Sequence, residues 1–203
     1  MRQIQLGNAI VIIGHAIRRD KNSLVIYNIY CRNIADCFCV KFERDVRGDV
    51  CLIISLDIGN KEIASEVLKI QIPAYKVEAE LIRFNGIPQL FDTEESLANS
   101  GEIFIGFVSE GVLQGVLAYC ENENQMEICR LIVHPAYFKR GIATKLLAFF
   151  LQELVGKTER VIVSTGADNY PAKALYKKFG FTEIENREVA PNVWITELQM
   201  KKA

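Results

Sequence analysis

The stretch of residues 126–181 constrains the fold of this chain more than any other. Residues 126–133 form an apolar, partly β-branched run typical of a buried strand, and a His-Pro dipeptide ends it because proline cannot donate to a ladder. A glycine-containing turn at residues 137–144 is followed by an apolar stripe of helical period through residues 146–154. A second apolar run, residues 160–165, precedes another helical segment. The order predicted is therefore strand, turn, helix, strand, helix.

The turn before the first of these helices has the features of a phosphate-binding loop. Small residues leave backbone amides accessible where the helix begins, and Lys139, Arg140 and Lys145 add positive charge. The amino end of a helix favours anions through its free N–H groups and its dipole. We therefore expect a phosphate group to bind at Lys139, Arg140, Gly141, Ile142, Ala143 and Thr144.

The loop and the second helical segment resemble the GNAT superfamily of N-acetyltransferases. The family's loop pattern, Gln/Arg-x-x-Gly-x-Gly/Ala, is matched by residues 138–143, except that Phe138 stands in place of the Gln or Arg. Residues 169–181, NYPAKALYKKFGF, resemble a second signature, an Asn followed by an Ala-x-x-x-Tyr-x-x-x-Gly-Phe helix. The two occur in the family's order and separation, and we take the resemblance to extend from about Val50 to the end of the chain.

This resemblance implies a fold class, a cofactor and a partner. The fold is α/β (α+β), a GNAT fold whose mixed, mostly antiparallel central sheet is flanked by helices. We expect residues 49–203 to form this domain and residues 1–48 to form an N-terminal β-strand extension packed on it. Acetyl-CoA would be the acyl donor, and a primary amine of a small molecule, peptide or protein the acceptor. The pantetheine arm of acetyl-CoA would lie between two diverging strands, hydrogen-bonded to the main chain near Ile132 and Val133 and contacted by Asn169.

The resemblance also assigns the catalytic residues. Glu127 occupies the position of the catalytic glutamate in histone-type members, where it would remove the amine proton directly or through water. A solvated glutamate at a strand start remains the alternative. Tyr176 matches the family's general-acid tyrosine, and packing on the sheet is its alternative. The Val133 amide would bind the oxyanion if a bulge leaves it unpaired. An acetylated Cys129 is a further route, although no histidine accompanies it in the sequence.

Composition excludes several other functions. The net charge is −1 and no block of like charge occurs, which argues against nucleic-acid binding. The six cysteines form no Cys-x-x-Cys pair and only two histidines are present, so we expect no metal site. No apolar run is long enough for a membrane span, so we expect a cytoplasmic protein. A homodimer, a non-catalytic acyl-CoA-binding or regulatory module, and a transferase of another short acyl group stay open.

Elsewhere the chain predicts elements by pattern. Apolar runs between residues 8 and 45 predict an antiparallel meander. Asn60 is expected to cap a helix that Pro73 interrupts, so that two helices line the acceptor pocket, with Glu78 and Glu80 as weaker candidates for the base. A short helix capped by Asp92 or Thr93 follows, and three antiparallel strands lead to residue 133.

Overall fold

A computed structural model describes residues 2–6, 9–13, 16–18, 24–26, 29–32, 40–44, 50–122, 124–156 and 158–201. The strands are β1 (Arg2–Leu6), β2 (Ala9–Ile13), β3 (Ala16–Arg18), β4 (Leu24–Ile26), β5 (Ile29–Arg32), β6 (Val40–Arg44), β7 (Val50–Leu56), β8 (Ile103–Ser109), β9 (Val112–Asn122), β10 (Gln125–Val133), β11 (Arg160–Gly166), β12 (Thr182–Ala190) and β13 (Val193–Lys201). The α-helices are α1 (Lys61–Ile82), α2 (Glu94–Ala98), α3 (Ile142–Phe149) and α4 (Tyr170–Lys178).

The central sheet has eight strands in the order β12-β13-β11-β10-β9-β8-β7-β6. Only the β10–β11 pair within this sheet is parallel. Helices α1 and α2 cover one face of the sheet, which we call the α1 face, and α3 and α4 cover the other. The expected mixed, mostly antiparallel sheet flanked by helices is confirmed. None of the helices in the described residues is long and apolar enough to cross a membrane.

The described N-terminal strands pair antiparallel, as expected from the sequence. Strands β1, β2 and β5 form a three-stranded sheet, β3 and β4 pair with each other, and β6 pairs with β7 at the edge of the central sheet. The pairing of β2 with β5 and that of β3 with β4 follow one antiparallel register, from Ile10 opposite Arg32 to Arg18 opposite Leu24. The domain boundary at residue 48 stays a prediction, and Cys37 and Cys39 lie outside the described residues.

Helix α1 runs through Pro73 without interruption, so the predicted pair of helices there is wrong. Proline removes one intrahelical hydrogen bond and costs roughly 3 kcal/mol in a helix interior. The same face of the helix buries Val67, Ile70, Tyr75 and Ala79 against the sheet on both sides of the proline. Burial of that continuous face offsets the local cost, which is why tertiary packing overrides the sequence pattern.

The helix starts follow the sequence closely. The Asn60 side chain accepts hydrogen bonds from the amides of Glu62 and Ile63, as predicted. Thr93 caps α2 through a capping box in which its hydroxyl and that of Ser96 exchange bonds with each other's backbone amides. These caps are local, so the residue type at one position is enough to predict them.

Candidate active site

The parallel strands β10 and β11 separate midway along their length. Their pairing runs from Gln125 opposite Arg160 to Ile128 opposite Val163 and goes no further. Beyond that point β10 continues to residue 133 paired only with β9, and β11 continues to residue 166 paired with β13. The strands therefore diverge as expected, and they leave an opening in the sheet at their carboxyl ends.

Backbone amides of β10 point into this opening. The amide of His134 donates to the carbonyl of Gln114 on β9 at 2.9 Å. Because successive amides of a strand point to opposite sides, those of Leu131 and Val133 point away from β9 towards the missing partner. The β-bulge lies earlier, at Cys129, so a bulge is not what leaves the Val133 amide unpaired. Divergence of β11 leaves the Val133 amide unpaired instead.

The amino end of α3 presents backbone amides just beyond this strand. Gly141 is the N-cap residue in a left-handed conformation, at φ 76°, and no side chain caps the helix. The amides of the first helical turn therefore point out of the helix end, as an anion site requires. Lys139 and Arg140 are exposed beside them, and the Arg140 guanidinium lies 5.1 Å from the Tyr137 ring centre.

Phe138 of the loop and Lys145 of α3 lie in different surroundings from Lys139 and Arg140. Phe138 is 41% exposed and points no polar group at the helix end. The Lys145 ammonium lies 5.4 Å from the centre of the Phe107 ring, against the sheet. His134 accepts a hydrogen bond from the Ala136 amide through Nδ1 and so caps the turn at Pro135. His134 therefore stabilises the conformation of the loop.

A glycine of β9 sets the distance between α3 and the sheet. A Cβ on Gly115 would lie 2.7 Å from Cγ2 of Ile142, the first residue of α3, and 3.1 Å from the Ile132 carbonyl oxygen. Real Cβ atoms do not approach that closely, so only glycine lets the helix start next to β10. Ile132 is buried against α1 and its main chain lies opposite Val116 of β9, so its contact with the cofactor arm stays a prediction.

Tyr176 is buried, and its pKa responds to a charge on α1. Its side chain is 4% exposed and its ring lies 5.5 Å from that of Phe181. Burial, followed by the negative charge of Glu78, raises the pKa of Tyr176 well above its usual range. Burial and Glu78 likewise raise the pKa of Tyr75, which also responds to Tyr176 and Arg130. Both phenols therefore keep their protons at neutral pH.

A chain of hydrogen bonds joins α1 to α4 at the same place. The Thr165 hydroxyl, near the end of β11, donates to Oε1 of Glu78 at 3.3 Å. The side-chain nitrogen of Asn169 donates to the Thr165 hydroxyl at 3.2 Å, and its side-chain oxygen accepts from the backbone amide of Ala172 at 3.2 Å. Asn169 is thus the N-cap of α4, with both ends of its side chain bonded to protein. Its contact with a cofactor stays a prediction.

Glu127 lies on the α1 face of the sheet, half-buried, opposite Cys120 of β9. Cys129, the predicted alternative nucleophile, follows two residues later in the bulge, and its sulfur lies 3.6 Å from the Glu127 carbonyl oxygen. Burial raises the pKa of Cys129, as do its bond to Cys120 and the charge of Glu102. A thiol that stays protonated is a poor nucleophile, so the acetyl-cysteine route is not favoured.

A buried ion cluster that the sequence does not predict is centred on Arg130. Its Nε and Nη2 donate to the two carboxylate oxygens of Glu102 at 2.6 and 2.9 Å, and Nη1 donates to Asp92 and to Gln71 Oε1. Gln71 is fully buried and donates to Asp92 and to the Gln89 carbonyl. The cluster ties α1 and the segment before α2 to β10.

The charges of the cluster shift the pKa of its members. Burial raises the pKa of Asp92, but hydrogen bonds from Arg130, Ser96 and Gln71 outweigh burial and lower it overall. Burial also works against the Arg130 charge, yet the bonds to Glu102 and Asp92 raise its pKa overall. An arginine inside an apolar strand is a sequence clue to such a cluster, but its acidic partners are far away in the chain.

Among the described residues, no group of three or more His, Cys, Asp or Glu side chains could hold a metal ion. Cys51 is buried, Cys120 and Cys129 are half-buried, and none of these three forms a disulfide. The site as described is built from backbone amides, two buried phenols and carboxylates.

Comparison with known proteins agrees with this arrangement. The profile of the family described as the Acetyltransferase (GNAT) family matches residues 66–181. The UPF0157 protein YqkA of Bacillus subtilis is 39% identical over 134 residues, which are 66% of this chain and 39% of YqkA. The chain thus spans well under half the length of this curated relative.

Solved structures share the fold at low sequence identity. The ribosomal-protein-S18-alanine N-acetyltransferase of Escherichia coli superposes with a TM-score of 0.60 at 17% identity, over 74% of this chain and 93% of that one. The PaiA N-acetyltransferase of Thermoplasma acidophilum, in complex with coenzyme A, gives 0.57 at 18% identity, over 72% and 97%. Because the family profile covers more than half of the chain and the diverging strands and open helix start lie within it, the chain belongs to the GNAT family of acetyltransferases.

Proposed function

We propose that the chain is an acetyl-CoA-dependent N-acetyltransferase that acts on a primary amine of a small molecule or peptide by direct attack in a ternary complex. The observation that carries the proposal is the opening between β10 and β11, with the Leu131 and Val133 amides directed into it and the uncapped start of α3 at its end. An extended amide-containing arm can bond to such a strand edge as an added strand does. A diphosphate fits the helix start.

The chain's own residues supply the remaining functions. An ammonium with a pKa of about 10.4 must lose a proton before it attacks, and half-buried Glu127 is our candidate to accept it, directly or through water. The Val133 amide is the donor for the charge that develops on the carbonyl oxygen. Attack of the amine nitrogen then forms the amide bond as the bond to sulfur breaks.

Tyr176 is our candidate for the group that meets the departing sulfur. Its raised pKa lies far above that of a thiol, about 8.5, so full transfer of the phenol proton to the thiolate is uphill. The phenol can still donate a strong hydrogen bond to the sulfur. We therefore assign Tyr176 the role of a hydrogen-bond donor that lowers the barrier to departure, with the product's own proton neutralising the thiolate afterwards.

The first test measures thermal stability with acetyl-CoA, CoA and ATP. A ligand that binds only the native state stabilises it by about 2.7 kcal/mol at a hundredfold excess over Kd. We expect a shift with both coenzyme A species and none with ATP. The absence of a shift with either coenzyme A species would refute the proposed site, and would point to the exposed Phe138 in place of the family's polar residue.

The second test measures CoA release over a panel of primary amines. We expect Tyr176→Phe and Glu127→Gln each to lower kcat by about 10²–10⁴-fold while the stabilisation by acetyl-CoA is kept. Exposed Tyr170→Phe and Glu80→Gln are the matched controls and should behave as the wild type. Equal turnover in all four variants would overturn the catalytic assignment. Binding without turnover of any amine, with acetyl-CoA or succinyl-CoA, would favour an acyl-CoA-binding module.

A further inference from the structure

Two thiols face each other on the α1 face beside Glu127. Cys120 lies near the end of β9 and Cys129 lies in the bulge of β10, and their sulfur atoms are 3.3 Å apart. Both residues are half-buried free cysteines. In the register, Glu127 is opposite Cys120, whereas the extra residue Cys129 has no direct partner on β9. The bulge thus brings Cys129 to the diagonal position beside Cys120.

We propose that Cys120 and Cys129 form a reversible disulfide when a peroxide oxidises them, and that this bond arrests acetyl transfer. A disulfide bond is about 2.05 Å long, so the sulfurs need to approach by only about 1.2 Å. Rotation of the two side chains can supply that movement. The effect on turnover rests on the proposed function, whereas formation of the disulfide does not.

The hydrogen bond between the thiols determines which cysteine reacts first. The Cys129 thiol donates to the Cys120 sulfur, and burial together with that bond raises the pKa of Cys129. Cys129 therefore keeps its proton, and the Cys120 sulfur reacts first. Its sulfur attacks a peroxide oxygen: an S–O bond forms, the O–O bond breaks, and the hydroxide that leaves takes up a proton to become water.

The second step closes the disulfide. The Cys129 sulfur attacks the Cys120 sulfenic acid, so that the S–S bond forms and the S–O bond breaks. The departing oxygen leaves as a second water with the Cys129 proton. In sum, two thiols lose two electrons and the peroxide gains them. A dithiol reductant reverses the reaction by thiol exchange.

The position of the pair explains why the bond would affect catalysis. The Cys129 sulfur lies 3.6 Å from the Glu127 carbonyl oxygen, so its movement towards Cys120 changes this contact. The next residue, Arg130, anchors the ion cluster with Glu102 and Asp92. Tightening the bulge towards β9 therefore moves both the candidate base and the strand segment that leads to the Val133 amide.

The experiment treats the full chain with hydrogen peroxide and follows two readouts. Peptide mapping without reduction tests for a cross-link between Cys120 and Cys129, which distinguishes it from the other cysteines. Turnover of an accepted amine, measured in parallel, is expected to fall at least about tenfold and to recover with dithiothreitol. Cys120→Ser and Cys129→Ser, each unable to form the bond, are expected to keep their turnover in peroxide.

The outcomes separate this proposal from the proposed function. Lack of the cross-linked peptide at full consumption of the accessible thiols overturns the proposal. So does an equal loss of turnover in the serine variants, because the loss would then have another cause. If the untreated chain turns over no amine, the proposed function fails, and the cross-link still decides whether the thiol pair is a redox site.

Discussion

Replacement of Arg130 tests how the buried ion cluster stabilises the fold. Arg130→Met keeps a long side chain but removes the guanidinium, while the Arg130 site is 7% exposed and the Glu102 and Asp92 side chains are 12% and 18% exposed. Removing one partner of a buried pair typically costs about 3–5 kcal/mol, because the remaining charge is left uncompensated. Here two carboxylates lose their partner, so we expect a loss in this range.

Denaturant unfolding followed by circular dichroism measures this loss. For a chain of this length, each kcal/mol shifts Tm by about 2–4 °C, so thermal unfolding should agree. The triple variant Arg130→Met, Asp92→Asn, Glu102→Gln removes the stranded charges and should regain at least about 1 kcal/mol over Arg130→Met alone. Exposed Arg160→Met on β11 is the control and should stay within about 0.5 kcal/mol of the wild type.

The refuting result is specific. If Arg130→Met costs less than about 1 kcal/mol, or if the triple variant is no more stable than Arg130→Met, then uncompensated carboxylates are not the source of the loss. The reasoning that the cluster holds α1 and the segment before α2 on β10 would then fail.

Three further predictions follow from single contacts. Gly115→Ala should cost about 1–3 kcal/mol and weaken coenzyme A binding in a thermal-shift titration, because its Cβ would lie 2.7 Å from Ile142 Cγ2; unchanged coenzyme A affinity would contradict this. The pKa of Asp92 is lowered in the fold, so its contribution to stability is present above the unfolded pKa of about 3.9 and is lost as the pH falls through the lower folded value. Asp92→Asn should therefore reduce the slope of the unfolding free energy against pH in that acidic range. An unchanged slope would count against the pKa shift. Asn60→Ala should cost about 1 kcal/mol in denaturant unfolding because two helix amides lose their acceptor, whereas a neutral result would mean that water replaces the cap.

Predictions that depend on neighbouring residues agree best with the structure. Helix caps at Asn60 and Thr93, the strand that ends before Pro135 and the glycine at the start of α3 are each set by one or two adjacent residues. Backbone conformation and capping act over a few positions, so residue type is sufficient evidence for them. The order of strand, turn, helix, strand, helix follows from the same local rules.

Tertiary structure decided what depends on residues far apart in the chain. α1 continues through Pro73 because a long buried face packs on the sheet, which local propensity cannot indicate. The bulge at Cys129 depends on the register between β9 and β10, and that register brings Cys120 to its side. The partners of Arg130 lie 28 and 38 residues away along the chain.

By itself, the sequence determined that this chain contains a buried strand leading to an open, positively charged helix start, since those features rest on local chemistry. Only the tertiary structure determined which amides remain unpaired and which side chains meet at the opening. The Val133 amide is left unpaired where β11 diverges from β10, and the charge of Glu78 on α1 acts on Tyr176 of α4, far away in the sequence. These arrangements depend on packing and strand register, which no single segment encodes.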